Sequence, residues 1–197
     1  MIIGQLPAFW AALREKEGMA ALALQLAILT AARSGSVRKM RWFEVDFENG
    51  IWTSPPANMK AGKPHFVPLS TEALNILSHL KPLASAPGDL VFPGQKSGRP
   101  LSDMALSQLV RGMSYDGLVP GEPPRWRDEF GNAIVPHGFR TSFKAWSLTS
   151  GWPDHLSELA LAHIDGNKVR ASYARDPLVE ERRAMMEAWA TVCISKA

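Results

Sequence analysis

The stretch "MAALALQLAILTAARSGSVRKMRW", from Met19 to Trp42, constrains the fold more than any other. From about Met19 to Ala32 almost every residue is apolar, with Gln25 and Thr30 the interruptions. A helix that is apolar all round cannot lie on a surface and has to be covered by other elements. This run is too short to span a bilayer, so it belongs at the centre of a globular domain. A chain of 197 residues with 46% hydrophobic and 21% charged residues can supply that cover without staples. The single cysteine, Cys193, excludes an internal disulfide framework and fits a reducing compartment. It has no His or Cys cluster around it, which argues against structural zinc. The opening residues lack a basic start, a continuous apolar run and a cleavage site, so a cytoplasmic chain is expected.

Around this buried helix the rest of the chain reads as mostly helical with one small sheet. "LPAFWAALREKEG" places Leu6, Phe9, Trp10 and Leu13 at helical spacing and stops at Gly18. "MRWFEVDFENGIWTSPP" alternates about Asn49-Gly50, a hairpin signal, and "HFVPL" adds a third short strand after a turn at Gly62. Ser70 or Thr71 caps the helix "EALNILSHLKPL", with Glu72 in its first turn. Ser102 opens a further helix through "DMALSQLVRGMSY". "VPGEPPRWRDEFGNAIVP" is a loop or short hairpin turning at Gly131-Asn132. Helices are then expected over "HGFRTSFKAWSLTSG", over "HLSELALAHI" after Asp154, and from about Leu178 to Val192. On the last of these, Met185, Met186, Trp189 and Val192 form an apolar face that suits either the chain's own core or a neighbouring protomer.

The net charge of +3 and the isoelectric point near 9.2 permit nucleic-acid binding without requiring it. The placement of the cations says more. Arg33, Arg38, Lys39 and Arg41 crowd one segment, Lys60 and Lys63 flank a turn, and Arg125 and Arg127 precede Arg140. Arg33 emerges from the end of the buried helix, where a cation also suits the helix dipole. His137 and Arg140 are three apart and share a helix face, so together they could clasp a phosphate. The alternative for that pair is a partly buried histidine beside a surface arginine. Tyr173 follows His163 by ten residues; a phenol is a weak nucleophile unless a base or nearby cations help it ionise.

The ordered pieces "TAARSGSV", "MKAGKPHFVPLS", "HGFRTSF", "LAHIDGNK" and "YAR" resemble the catalytic domain of tyrosine recombinases, the phage-integrase family, specifically prophage integrases of the satellite-phage type. The resemblance runs from about Leu6 to Trp189. It implies an α+β, mostly helical tyrosine-recombinase catalytic fold with a small three-stranded antiparallel sheet on one side. It implies that residues 1–197 form a single catalytic domain, without the DNA-clamp and arm-binding domains that precede it in the family. Residue by residue it assigns Arg33 as the first catalytic arginine and Lys60 as the hairpin lysine, with Lys63 across the same turn. His137 and Arg140 become the His-x-x-Arg pair, His163 the second histidine and Tyr173 the nucleophile. One position departs from the pattern: family members commonly carry Glu or Asp three residues after the first arginine, where this chain has Ser36.

The chemistry so implied is metal-free and ATP-free site-specific DNA recombination through a 3′-phosphotyrosine. Arg33, Arg140 and His163 would stabilise charge on the phosphate, Lys60 would protonate the departing 5′-oxygen, and His137 would help take the tyrosine proton. No cofactor or metal is expected. The implied partners are double-stranded attachment-site DNA, further copies of the chain in a synaptic tetramer, and host DNA-bending accessory proteins, in a cytoplasmic, nucleoid-associated setting. Two readings compete: an inactive DNA-binding remnant of a prophage integrase, and relaxation of DNA by type IB topoisomerase chemistry.

Overall fold

In the computed structural model, residues 1–59, 62–163 and 178–195 are described. The apolar run forms α2 (Met19–Thr30), packed against α1 (Leu6–Arg14), α3 (Ser34–Arg38), α4 (Thr71–Leu80), α5 (Ala105–Tyr115) and α8 (Val179–Ile194). From Ala23 to Thr30 every α2 residue is buried, including the two polar ones. Thr30 resolves its burial by donating its hydroxyl hydrogen to the Leu26 carbonyl at 2.6 Å.

The helix α1 is shorter than its pattern suggested, ending at Arg14, but Leu6, Phe9, Trp10 and Leu13 are its buried face. Ser70, not Thr71, is the α4 cap: its hydroxyl accepts from the Ala73 N–H at 3.3 Å. α5 begins at Ala105, three residues later than the Ser102 signal. α6 (Gly138–Thr149) packs on α7 (Asp154–Ala160), which in turn touches α8. The expected continuation of α7 does not form over residues 161–163, and Ile164 lies outside the described residues. The helix stops at Ala160, and Ala162 takes a left-handed φ of 49°.

Three antiparallel strands lie in the order β1 (Val45–Asp46), β2 (Ile51–Ser54), β3 (His65–Pro68). β1 is only a fragment because Trp42–Glu44 coil into a single 3-10 turn. Its turn is nonetheless tightly made: the Asp46 carboxylate accepts from the Asn49 backbone N–H at 2.9 Å and side-chain amide at 2.7 Å, and Gly50 takes φ 60°. β2 and β3 pair Trp52 with Val67 and Ser54 with His65. Among the described residues no helix is long and apolar enough to cross a membrane.

The C-terminal helix resolves its two options in favour of its own core. Arg182, Met185, Met186, Trp189, Ala190 and Cys193 are buried at a 3.6-residue repeat, with Cys193 rather than Val192 completing the stripe. Trp189 packs 5.4 Å from Phe143 and 5.2 Å from Trp146 and donates its indole N–H to the Ile28 carbonyl at 2.8 Å. That last bond ties α8 to the last turn of α2.

Candidate active site

The site begins where α2 ends. Ala31 is forced into the left-handed region (φ 49°), which turns the chain sharply and lets Arg33 stand extended as the first residue before α3. A left-handed alanine costs about 1–2 kcal/mol, and Ala31 is fully covered, so the surrounding packing holds it there. The turn directs the Ala31 carbonyl towards α6.

Arg140, on the first turn of α6, receives it. Its guanidinium donates to the Ala31 carbonyl and, at 2.7 Å, to the Leu161 carbonyl just past α7. The side chain is only 5% exposed, so the surface-arginine alternative is excluded. Its Nε has no hydrogen-bond partner among the described residues. Burial, and then the neighbouring Arg33 charge, lower its pKa to about 10, which leaves it charged at neutral pH. Neither Arg33 nor Arg140 has a carboxylate partner among the described residues. Two close cations, one of them buried, with no counter-charge form a site that favours an anion.

Both arginines line one cleft, together with Ser36, Trp52, Ser54, His65 and the Ala160–Ala162 backbone. His137, the residue before α6, feels the same field: burial first, then Arg140, Arg33 and His163, push its pKa down. It is therefore a neutral proton acceptor at physiological pH. His163 donates from Nδ1 to Glu158 Oε2 at 2.8 Å. The structure thus brings together Arg33, His137, Arg140 and His163. Lys60 and Tyr173 lie outside the described residues.

Ser36 is buried and donates its hydroxyl hydrogen to the Asn58 carbonyl at 3.1 Å, with the Met59 sulfur 3.9 Å away. It ties α3 to the segment entering the β2–β3 turn. A carboxylate here would face a backbone carbonyl in a buried place and would be repelled unless the turn moved. The serine therefore suits this turn as it stands.

Four residues of the site had not been singled out from sequence. Ser54 and His65 are cross-strand partners whose side chains line the cleft, and period-two alternation along "HFVPL" could have pointed His65 inward. The Ser54 hydroxyl is buried without a partner among the described residues. His65 donates from Nε2 to the Ala160 carbonyl at 3.3 Å. Burial, then Arg182, lower its pKa to about 4. Trp52 floors the cleft and donates its indole N–H to the buried Glu44 carboxylate at 2.9 Å. Glu158 is the fourth; its spacing five before His163 carries no helical-face signal.

The phage integrase family model matches residues 4–178, and the chain belongs to that family. It is 34% identical over 164 residues to the prophage integrase IntA of Escherichia coli (strain K12), covering 83% of this chain and 36% of that protein. Against the integrase of Shigella phage Sf6 the identity is 32% over 189 residues, covering 94% and 45%. The chain therefore spans less than half the length of these curated relatives. Among solved structures, XerH site-specific recombinase bound to its difH substrate superposes with a TM-score of 0.60 at 19% identity, over 98% of this chain and 53% of that one. The fold is that of tyrosine-recombinase catalytic domains, with the expected mostly helical body and small three-stranded sheet.

Proposed function

We propose that the chain is the catalytic domain of a site-specific DNA recombinase that cuts and rejoins duplex DNA through a 3′-phosphotyrosine. The observation that carries this reading is the cleft lined by Arg33 and a buried, charged Arg140, with no carboxylate to neutralise either among the described residues and with His137 close enough to feel both arginines and His163. A backbone phosphate supplies the missing anion. Membership of the phage integrase family supports the same chemistry.

In the proposed reaction the Tyr173 oxygen attacks the phosphorus, forming the new P–O bond as the bond to the 5′-oxygen breaks. His137, neutral under these conditions, accepts the phenol proton, and Lys60 gives a proton to the leaving 5′-oxygen, which departs as a hydroxyl. Arg33, Arg140 and His163 stabilise the charge that grows on the non-bridging oxygens. One phosphoester replaces another, so the step needs no nucleotide, and attack by a 5′-hydroxyl of a partner strand reverses it. Exchange between two duplexes requires several copies of the chain, so the working form is a synaptic tetramer on attachment-site DNA, assisted by host DNA-bending proteins in the cytoplasm. The clamp and arm-binding regions would come from outside residues 1–197.

The test is a nicked suicide duplex incubated with the protein without added metal, read as a protein–DNA band that survives denaturing electrophoresis. Wild type is expected to form the band and Tyr173→Phe to lose it while still binding DNA. A band of equal strength in Tyr173→Phe would overturn the assignment of the nucleophile. Failure of wild type to form one when fused to a clamp domain would overturn the activity.

A further inference from the structure

Arg140 and Lys144 are four apart on α6, so they share one face and reach the same neighbour, α7 and the residue just past its end. Arg140 takes hold of its backbone through the Leu161 carbonyl. Lys144 takes hold of three side chains: its ammonium donates to Glu158 Oε1, to Asp154 Oδ1 at 2.6 Å and to the Ser157 hydroxyl at 2.8 Å. Glu158 in turn accepts through its other oxygen, Oε2, from His163 Nδ1 at 2.8 Å. The main chain repeats the connection, since the His163 N–H donates to the Glu158 carbonyl at 3.0 Å across the left-handed Ala162. His163 is therefore held twice by one residue, and that residue is held by the helix that carries Arg140.

We propose that Glu158, fixed by Lys144, is the positioning residue that sets the ring orientation and protonation pattern of His163. The inference rests on the recombinase reading for its consequence in catalysis, though not for the contact itself. A carboxylate accepts at both oxygens and carries no proton of its own to offer. With one oxygen committed to an ammonium, the other takes the Nδ1 proton. The second ring nitrogen, Nε2, is then the one presented to a ligand, as an acceptor when the ring is neutral and as a donor when it is charged. The logic is that of a buried carboxylate behind a catalytic histidine in hydrolases, where the carboxylate chooses the tautomer and does no proton transfer itself.

An amide at this position makes the opposite choice. In Glu158→Gln the single acceptor oxygen is drawn to Lys144, so the NH2 faces Nδ1 and donates to it. The ring must then carry its proton on Nε2. The change is nearly isosteric, so the fold is retained. Adding Lys144→Met releases the amide to rotate, which lets its oxygen meet Nδ1–H again.

Two measurements test this on the same proteins. Nitrogen-15 NMR of labelled histidines at pH 8.5, with His163→Gln for assignment, reads the tautomer directly. Wild type is expected to show the proton on Nδ1, Glu158→Gln on Nε2, and the double variant on Nδ1 again. A wild-type ring protonated on Nε2, or a Glu158→Gln ring unchanged from wild type, overturns the proposal, and a double variant that behaves as the single one overturns the part given to Lys144. The second readout is adduct formation on the suicide duplex, expected to fall at least about tenfold in Glu158→Gln and to recover in the double variant, with DNA affinity unchanged in both. In Glu158→Gln the NH2 facing Nδ1 denies the ring its second proton and so its charge opposite the phosphate. Equal rates in wild type and Glu158→Gln overturn the catalytic consequence. If wild type fused to a clamp domain forms no adduct, the recombinase reading fails while the NMR arm still decides the contact, so the two failures are distinguishable.

Discussion

The body of α2 and the turn at its C-terminal end follow opposite rules. Along its body, Ala23 to Thr30, apolar side chains meet apolar neighbours, and the Ile28 carbonyl accepts from Trp189. At its C-terminal end a left-handed alanine, an arginine without an acidic partner among the described residues and the buried Arg140 crowd together. A few residues separate a stretch of buried core from two arginines without acidic partners among the described residues. The difference teaches that the core is what keeps two like charges close: rigid packing on one side holds Ala31 and its carbonyl where Arg140 needs them. Strain and unpaired charge persist only where the surroundings over-determine them.

The comparison breaks most visibly on the core side. Trp189→Ala removes a fully buried indole, its contacts with Phe143 and Trp146 and its hydrogen bond to Ile28, and should cost about 3–5 kcal/mol in urea unfolding. A loss below about 1 kcal/mol would mean that α8 is not integral to the α2 core. On the site side the ledger reverses. Arg140→Lys should lower adduct formation by about 100-fold, because a single ammonium cannot hold two carbonyls and also meet a phosphate with a planar fork. Its stability should fall by about 2 kcal/mol, because the lysine keeps the buried charge while one of the two bonds to the Ala31 and Leu161 carbonyls is lost. A large loss of stability with cleavage intact would make Arg140 a core residue and not a phosphate ligand.

The third effect is smaller at neutral pH and grows with acid. His65 titrates at about 4 in the folded chain, against 6.5 for an unperturbed imidazole. Between these values the unfolded chain holds the extra proton, so stability rises with pH through that window and is complete above about pH 6.5. The span amounts to on the order of 3 kcal/mol. Urea midpoints at pH 7 and pH 4.5 should diverge more in wild type than in His65→Gln, which keeps a donor for the Ala160 carbonyl but does not titrate. Equal divergence in the two proteins would remove His65 from the account. Carboxylates such as Glu158 also lose their favoured form in acid, but they do so equally in both proteins.

Much of this was legible without coordinates, and the reasons are local. The all-apolar run had to be central, the Asn49-Gly50 turn had to reverse a strand, and Gly151 had to close α6. Each follows from side-chain period or backbone freedom within a few residues. The ordered motifs marked Arg33, His137, Arg140 and His163, and these four do converge. Lys60 and Tyr173 lie outside the described residues, so their place in the cleft rests on the resemblance. Two local features escaped. The five-residue helix α3 is too short to show periodicity, and β1 is cut short by the 3-10 turn before it.

What the sequence determined by itself, then, was which segments are helices, which residues carry charge, and which family the chain resembles. Tertiary structure alone decided what each charge touches. That Arg140 spans the Ala31 and Leu161 carbonyls depends on residues 109 and 21 positions away. That α8 buries its methionines and tryptophan in the chain's own core depends on a surface built by α1, α2, α7 and β3 together. Even the short-range pair Glu158 and His163 meets only because Ala162 goes left-handed and Lys144 arrives from α6. Local propensity acts over one turn of chain, whereas burial and charge act through space, and space is defined only once the chain has folded.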